Sequence, residues 1–233
     1  MILPPLYPII DFSFFAAEPD PVSALAKFAE ELIGAGATLI QFRDKSEPAQ
    51  PRRFLSCARE LRRDTLDRGT LIINDRVDLC LAAGADGVHL GQDDLSPAAA
   101  RRIFDSMKSD PLRPAETRAN QQQSGPQRMG RPLIGYSTHN IEQVREADSL
   151  PIDYIAIGPV FATASKARPD PVIGLEGVRA ARRITQKSLV AIGGITRKNC
   201  RQVTEAGADA VAVISDLFES PGKAVADFLR VLR

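Results

Sequence analysis

Residues 70–91 read TLIINDRVDLCLAAGADGVHLG. A short apolar run, TLIIN (70–74), leads into a segment with helical character at 76–83. A second apolar run, DGVHL (86–90), follows directly. The runs are rich in Val, Ile and Leu, as strands covered on both faces are. Gly84 sits where a helix ends and suits a left-handed C-terminal residue. The stretch therefore predicts a strand, a helix and a parallel strand.

The same rhythm extends both ways. Towards the N-terminus lie a strand at 6–11, a helix at 21–34 with Leu25, Phe28, Ala29 and Leu32 on one face, a strand at 38–42 and a helix at 50–67. Towards the C-terminus lie a helix at 96–107, a strand at 132–136, a helix at 140–148 and a strand at 153–158. A helix at 175–186, a strand at 189–194, a helix at 197–206, a strand at 209–215 and a helix at 222–232 complete the chain. Strict alternation implies a parallel sheet, and eight such units in a chain of this length imply closure into a single (β/α)8 TIM barrel spanning 1–233. GAGAT (34–38), AGADGV (83–88) and AGADAV (206–211) echo one another at helix-to-strand turns.

Composition narrows the class. The 233 residues carry 30 Lys+Arg against 29 Asp+Glu, with 44% hydrophobic and 25% charged residues. These values fit a folded globular chain and argue against a disordered or fibrous one. Balanced charge argues against a nucleic-acid partner, which would select a basic stripe. No apolar run reaches the roughly 20 residues that span a bilayer, so no membrane partner is expected. The apolar start, MILPPLYPIIDFSFF, lacks a basic lead and contains Asp11, so it reads as a first strand. Cys57, Cys80 and Cys200 are far apart and odd in number, which disfavours a disulfide framework or zinc site. They fit a reducing cytoplasm and small core positions. Residues 109–131, polar and aperiodic, are expected to form a mobile surface insertion away from the catalytic face. A homo-oligomer is compatible with the sequence.

Barrels of this kind place their chemistry at the C-terminal ends of the strands. Arg43, Lys45 and Lys166 stand there and are suited to surround a polyanion. Asp75 and Asp94 are suited to a hard divalent ion such as Mg2+, which keeps waters and binds substrate phosphates. Cations around a diphosphate stabilise a departing phosphate group. Read blandly, Arg43–Asp44 and Lys45–Glu47 are ordinary surface pairs. After strands seven and eight, Gly193, Gly194 and Ser215 suit a phosphomonoester, since glycines let backbone N–H groups approach an anion. His89 reads as a satisfied barrel-interior histidine, while His139 either lines the mouth or caps the next helix.

Assembled in order, these segments resemble the thiamine-phosphate synthase family. The resemblance rests on Gln41-Phe42-Arg43-Asp44-Lys45, Ile73-Asn74-Asp75, the run from Asp86 to Asp94 and Gly135-Tyr136-Ser137-Thr138-His139. Gly158 to Lys166, Ile192-Gly193-Gly194-Ile195 and Ile214-Ser215 also match, so nearly all of the chain outside the insertion is covered. The resemblance implies a transferase that joins a hydroxymethylpyrimidine diphosphate to a hydroxyethylthiazole phosphate, releasing pyrophosphate. It implies that Gln41, Phe42, Arg43, Asp44, Lys45, Asn74, Ser137 and Lys166 bind the pyrimidine diphosphate. It further implies that Thr163, Ala164, Ser165, Gly194, Ile214 and Ser215 bind the thiazole phosphate. Asp75 and Asp94 would hold one Mg2+ per subunit, and Lys166, Ser137 and Arg43 would be catalytic.

Departures fall on the loop after strand six and at strand one. The family's Pro-Thr-x-Thr-Lys is Ala162-Thr163-Ala164-Ser165-Lys166, a common second lysine is Ala167, and a common Thr-Asp is Ile10-Asp11. The related thiazole tautomerase branch is the nearest alternative. It would place its proton transfer at His139, and Asp75 and Asp94 distinguish the synthase from it. A non-catalytic phosphate-binding barrel would need neither those aspartates nor Lys166.

Overall fold

Leu6–Asp11 is buried from end to end, and so are most residues of the seven strands that follow, because helices cover one face and the barrel interior the other. The computed structural model describes residues 2–46, 49–108, 131–163 and 170–233. Within them the order is β1 (Leu6–Asp11), α1 (Pro21–Gly34), β2 (Leu39–Arg43), α2 (Pro51–Thr65), β3 (Thr70–Asn74) and α3 (Val77–Ala83). Next come β4 (Gly87–Leu90), α4 (Pro97–Lys108), β5 (Leu133–Thr138), α5 (Ile141–Asp148), β6 (Tyr154–Ile157) and α6 (Gly174–Ile184). The chain closes with β7 (Ser188–Ile192), α7 (Cys200–Glu205), β8 (Ala210–Val213) and α8 (Pro221–Leu232). The strands pair in sequence order, all parallel, and β8 returns to β1 with Leu6 opposite Val211. This is the closed barrel that the alternation predicts. The expected insertion at 109–131 lies outside the described residues apart from Arg131.

Local chemistry sets the elements. In α1, Asp20 caps the helix by accepting from the Ser23 N–H at 3.2 Å, and Pro21 supplies a preset first-turn φ. Leu25, Phe28, Ala29, Leu32 and Ile33 are its buried face. Burial of each large side chain contributes about 1.5–3 kcal/mol. Side-chain alternation then divides the core into two layers. Tyr7, Ile9, Leu39, Ile72, Tyr154 and Val190 fill the barrel, whereas Ile10, Ile40, Phe42 and Ile73 pack under the helices. Gly135 makes room for Tyr154, its register partner: a Cβ there would lie 2.0 Å from the tyrosine ring. All three cysteines are buried thiols, as expected of core positions.

Two of the echoed turns, AGADGV and AGADAV, supply an aspartate clip that a third turn, at Asp153, shares. Asp86, Asp153 and Asp209 each precede an even-numbered strand. Each accepts from a backbone N–H of the strand before it: Leu71 at 2.9 Å, Ile134 at 2.8 Å and Leu189 at 2.7 Å. Each also meets an arginine of the intervening architecture, Arg62 of α2, Arg101 of α4 or Arg182 of α6. These clips lie at the N-terminal ends of the strands, opposite the site. Most boundaries shift by one to three residues from the sequence expectation, two of them next to the site. The 197–206 helix starts only at Cys200, because Asn199 Oδ1 accepts from the Thr196 N–H at 2.7 Å and holds a turn. The 209–215 strand stops at Val213, and Ser215–Leu217 forms a 3-10 turn.

Candidate active site

Odd-numbered residues of β1 and β2 point into the barrel, so Tyr7, Ile9, Gln41 and Arg43 share one interior. They line a cavity of about 230 Å3 at the C-terminal ends of the strands. Asn74 enters from β3, His89 from β4 and Ser137 from β5. The opposite wall is Thr163, Gly193, Gly194, Thr196, Ile214 and Ser215. Both predicted substrate halves thus meet in one space. Ala164, Ser165 and Lys166 lie outside the described residues.

Three of the residues expected to bind the pyrimidine diphosphate do not line this cavity: Phe42, Asp44 and Lys45, the last held at Asp75. Phe42 is the even residue of β2, fully buried against Phe54 at 4.7 Å between ring centroids, and does not line the cavity. Asp44 accepts from the Ser46 N–H at 2.9 Å and pairs with Arg53 at 2.9 Å. These partners hold its carboxyl below the usual range despite burial, which acts the other way. The surface-pair reading of the arginine also gives way, since Arg43 pairs with buried Asp11, its register partner on β1. Asp11 is held in turn by the Ser13 N–H at 3.0 Å.

The acidic pair sits just beyond Asn74. Asp75 hydrogen-bonds the Lys45 ammonium and lies near enough to Asp94 for the two carboxyls to influence each other. Its carboxyl is raised above the ordinary value by burial first, with Asp94 adding to the rise and Lys45 opposing it. Asp94 also accepts from the Gly91 N–H at 2.7 Å, which aims it. The Asp75 side chain keeps 18% exposure, so the two carboxylates converge and remain open to solvent. Two convergent carboxylates with a cation already attracted to them are a donor set suited to a hard divalent ion that retains waters. Among the described residues no cluster of three or more His, Cys, Asp or Glu forms.

The far wall is built from turns. Gly193 and Gly194 have φ of 102° and 63°. A Cβ on Gly194 would stand 2.5 Å from the Ala162 carbonyl oxygen, so only glycine fits. Asn199 Nδ2 donates to the Gly194 carbonyl at 3.0 Å, and the Arg197 N–H donates to Asp216 at 2.9 Å. These bonds tie the loop after β7 to the turn after β8 and fix the position of Ser215. His139 lines the mouth, its Nδ1 3.0 Å from the Gly158 carbonyl oxygen, and the Asn140 side chain caps α5.

His89 is both the satisfied interior histidine and a cavity residue. Its Nδ1 meets Tyr154 Oη at 3.1 Å and its Nε2 meets Ser137 Oγ at 2.8 Å. Burial pushes its pKa down to about 4, so the ring is neutral at neutral pH. Sequence reading missed Tyr7, Tyr154 and Thr196 as cavity or supporting residues, and Asp11 as the partner of Arg43. The inward parity of Tyr7 and Asp11 on β1 was the available signal.

Comparison with known proteins converges on one family. A family model described as thiamine monophosphate synthase matches residues 7–109 and 118–217. A thiamine-phosphate synthase of Koribacter versatilis is 48% identical over 230 residues, 99% of this chain and 96% of that protein. One of Chloroflexus aurantiacus is 40% identical over 187 residues, 80% of this chain and 74% of that protein. The solved thiamine phosphate pyrophosphorylase of Pyrococcus furiosus superposes with a TM-score of 0.75 at 28% identity, covering 98% of this chain and 95% of that one. The barrel, the cavity at its strand ends and these likenesses agree: the chain belongs to the thiamine monophosphate synthase family and is a transferase.

Proposed function

We propose that the protein condenses 4-amino-2-methyl-5-(diphosphooxymethyl)pyrimidine with 4-methyl-5-(2-phosphooxyethyl)thiazole, or its carboxylated form, to thiamine phosphate and pyrophosphate. One observation carries the reading. A single cavity is lined by Gln41, Arg43, Asn74 and Ser137 on one side and by Thr163, Gly194, Ile214 and Ser215 on the other. Two substrates bound there are held adjacent, and alignment of that kind removes much of the barrier to a bimolecular step.

In this reading the bond from the pyrimidine methylene carbon to the diphosphate oxygen breaks first. The electron pair leaves with pyrophosphate, and the pyrimidine-methyl cation is stabilised by the ring amino group. The thiazole nitrogen then donates its lone pair to that carbon, forming the new C–N bond. No general base is required. Arg43, Lys45 and Lys166 neutralise the leaving group, Ser137 donates to it, and Gln41 and Asn74 orient the pyrimidine. Gly194, Ser215 and the loop from Thr163 through Ala164 and Ser165 hold the thiazole phosphate. Asp75 and Asp94 would hold Mg2+, which when bound adds positive charge against the diphosphate. Lys45 then has two anionic partners, the Asp75 carboxylate in the free protein and the diphosphate in the complex.

The convergence of Asp75 and Asp94 favours this reading over a tautomerase, for which the acidic pair has no task. The test is incubation with both substrates and Mg2+, with thiamine phosphate and pyrophosphate measured together. Equimolar formation of the two, abolished by a chelator or by omitting either substrate, is expected. Pyrophosphate release without coupling, or isomerised thiazole without pyrimidine, would overturn it.

A further inference from the structure

Inside the barrel, five side chains from five strands form a continuous hydrogen-bond line. Gln41 Nε2 donates to Tyr7 Oη at 3.0 Å, Tyr7 Oη lies 2.8 Å from Tyr154 Oη, and Tyr154 Oη lies 3.1 Å from His89 Nδ1. His89 Nε2 then meets Ser137 Oγ at 2.8 Å. Tyr7, Tyr154 and His89 are buried, and the line touches the cavity at Gln41, Tyr7, His89 and Ser137, with Ser137 at its end. The rings are fixed by packing as well: Tyr154 meets Tyr7 edge-on at 5.9 Å and stacks on His89 at 5.6 Å.

Counting hydrogens gives the line a direction. Each phenol has one hydrogen and a neutral imidazole has one. The Gln41 amide nitrogen only donates, so Tyr7 Oη is already an acceptor. If Tyr7 donates to Tyr154, Tyr154 must donate to His89 Nδ1. The imidazole hydrogen then lies on Nε2 and goes to Ser137 Oγ. The opposite order would leave the Tyr7 hydrogen with no side-chain acceptor among the described residues, an outcome that buried polar groups avoid.

We propose that Gln41, Tyr7, Tyr154 and His89 form a one-way relay that leaves Ser137 with its own hydrogen free to donate into the cavity, making Tyr7, Tyr154 and His89 positioning residues for a substrate oxygen that gains negative charge. The assignment of that oxygen to the departing diphosphate rests on the function proposed above; the direction of the relay does not. A donor held towards a group whose charge grows during bond breaking acts more on the transition state than on the ground state. The relay also explains why two tyrosine hydroxyls are tolerated in a barrel interior: each is spent on the next residue.

The chain has only two histidines, His89 and His139, so 15N-histidine labelling reads the relay directly in the free protein. Spectra of the wild type at about pH 8, where an ordinary imidazole is neutral, are assigned with His139→Asn. His89 is expected to carry its hydrogen on Nε2. An Nδ1–H tautomer at His89 would overturn the proposal, whatever the substrates prove to be. Tyr154→Phe keeps the ring and removes the donor to Nδ1. Its kcat is expected to fall roughly tenfold with KM for the pyrimidine diphosphate nearly unchanged, as loss of one oriented hydrogen bond allows. In a Ser137→Ala background the same change should have no further effect on kcat. An undiminished penalty there would show that Tyr154 acts by another route, and Tyr7→Phe supplies a second variant with the same expectation.

Discussion

Asp153→Ala removes a carboxylate that serves three donors at the end of the barrel remote from the cavity. Asp153 Oδ2 accepts from Arg101 Nη2 at 2.7 Å and from the Ile134 N–H at 2.8 Å, and Oδ1 accepts from Arg131 Nη2 at 3.0 Å. The Arg101 and Asp153 side chains are only 8% and 7% exposed. Leaving one member of such a pair unpaired costs about 3–5 kcal/mol. Arg101 retains carbonyl acceptors at Pro132 (2.8 Å) and Pro151 (3.3 Å), which softens the loss. The orphaned Ile134 N–H adds about 1–3 kcal/mol. A net destabilisation of about 4 kcal/mol follows from these opposing effects. For a domain of this size that lowers Tm by about 8–16 °C. Urea unfolding should show a lower midpoint at unchanged slope. Asp153→Asn, which keeps an acceptor for the Ile134 N–H, should lose less. Turnover at 25 °C of the folded fraction should match the wild type, because the clip sits at the N-terminal ends of the strands. A loss below about 1 kcal/mol would show that the Arg101–carbonyl bonds alone satisfy the guanidinium. A kcat defect in fully folded protein would refute the separation of stability from catalysis.

Other expectations concern the site and the core. Asp75→Asn keeps a residue tolerant of the φ of 61° found there, so the barrel should fold while turnover drops about a hundredfold or more; Mg2+-dependent product formation at the wild-type rate would remove Asp75 from the metal site. Ser215→Ala should raise KM for the thiazole phosphate with little change in the pyrimidine constant, and equal shifts in both would misplace the second phosphate. Burial raises the Cys57 thiol to about 11 and the Cys80 thiol to about 12, so native protein at pH 8 should resist disulfide reagents until it unfolds; rapid native labelling of either would contradict their place in the core. His89 titrates near 4 when folded against 6.5 as its ordinary value, so between these the unfolded chain binds the extra proton. Stability should therefore rise with pH across that window by about 3 kcal/mol from this residue, fully present above 6.5 and lost as pH falls towards 4. His89→Gln should flatten that part of the pH–stability curve, and an unchanged curve would count against the neutral buried ring.

The chain's one-dimensional pattern was enough for the barrel. Strands such as Thr70–Asn74 and Ala210–Val213 are buried on both faces, so their composition shows the arrangement without any knowledge of neighbours. Closure followed from the number of units, and strand ends located Gln41, Asn74, Ser137 and Ser215 at the mouth. The adjacency of Asp75 and Asp94 was also foreseeable, since their strands are neighbours in the sheet.

Pairing within the site was a different matter. Neighbours in sequence suggested Arg43 with Asp44, yet alternation sends successive strand residues to opposite faces, and Arg43 meets Asp11 across the β1–β2 register. The same parity turns Phe42 to the helices, while Asp44, just beyond the strand, is held by Arg53. Tyr7 and Tyr154 are 147 positions apart and touch only because the sheet closes, bringing interior side chains of non-adjacent strands within 2.8 Å. Sequence alone determined the barrel and the residues that meet at the C-terminal ends of its strands, because burial and periodicity are local properties. Tertiary structure decided which charge answers which and that His89 meets Ser137, because those contacts depend on register and closure, which join residues the chain keeps far apart.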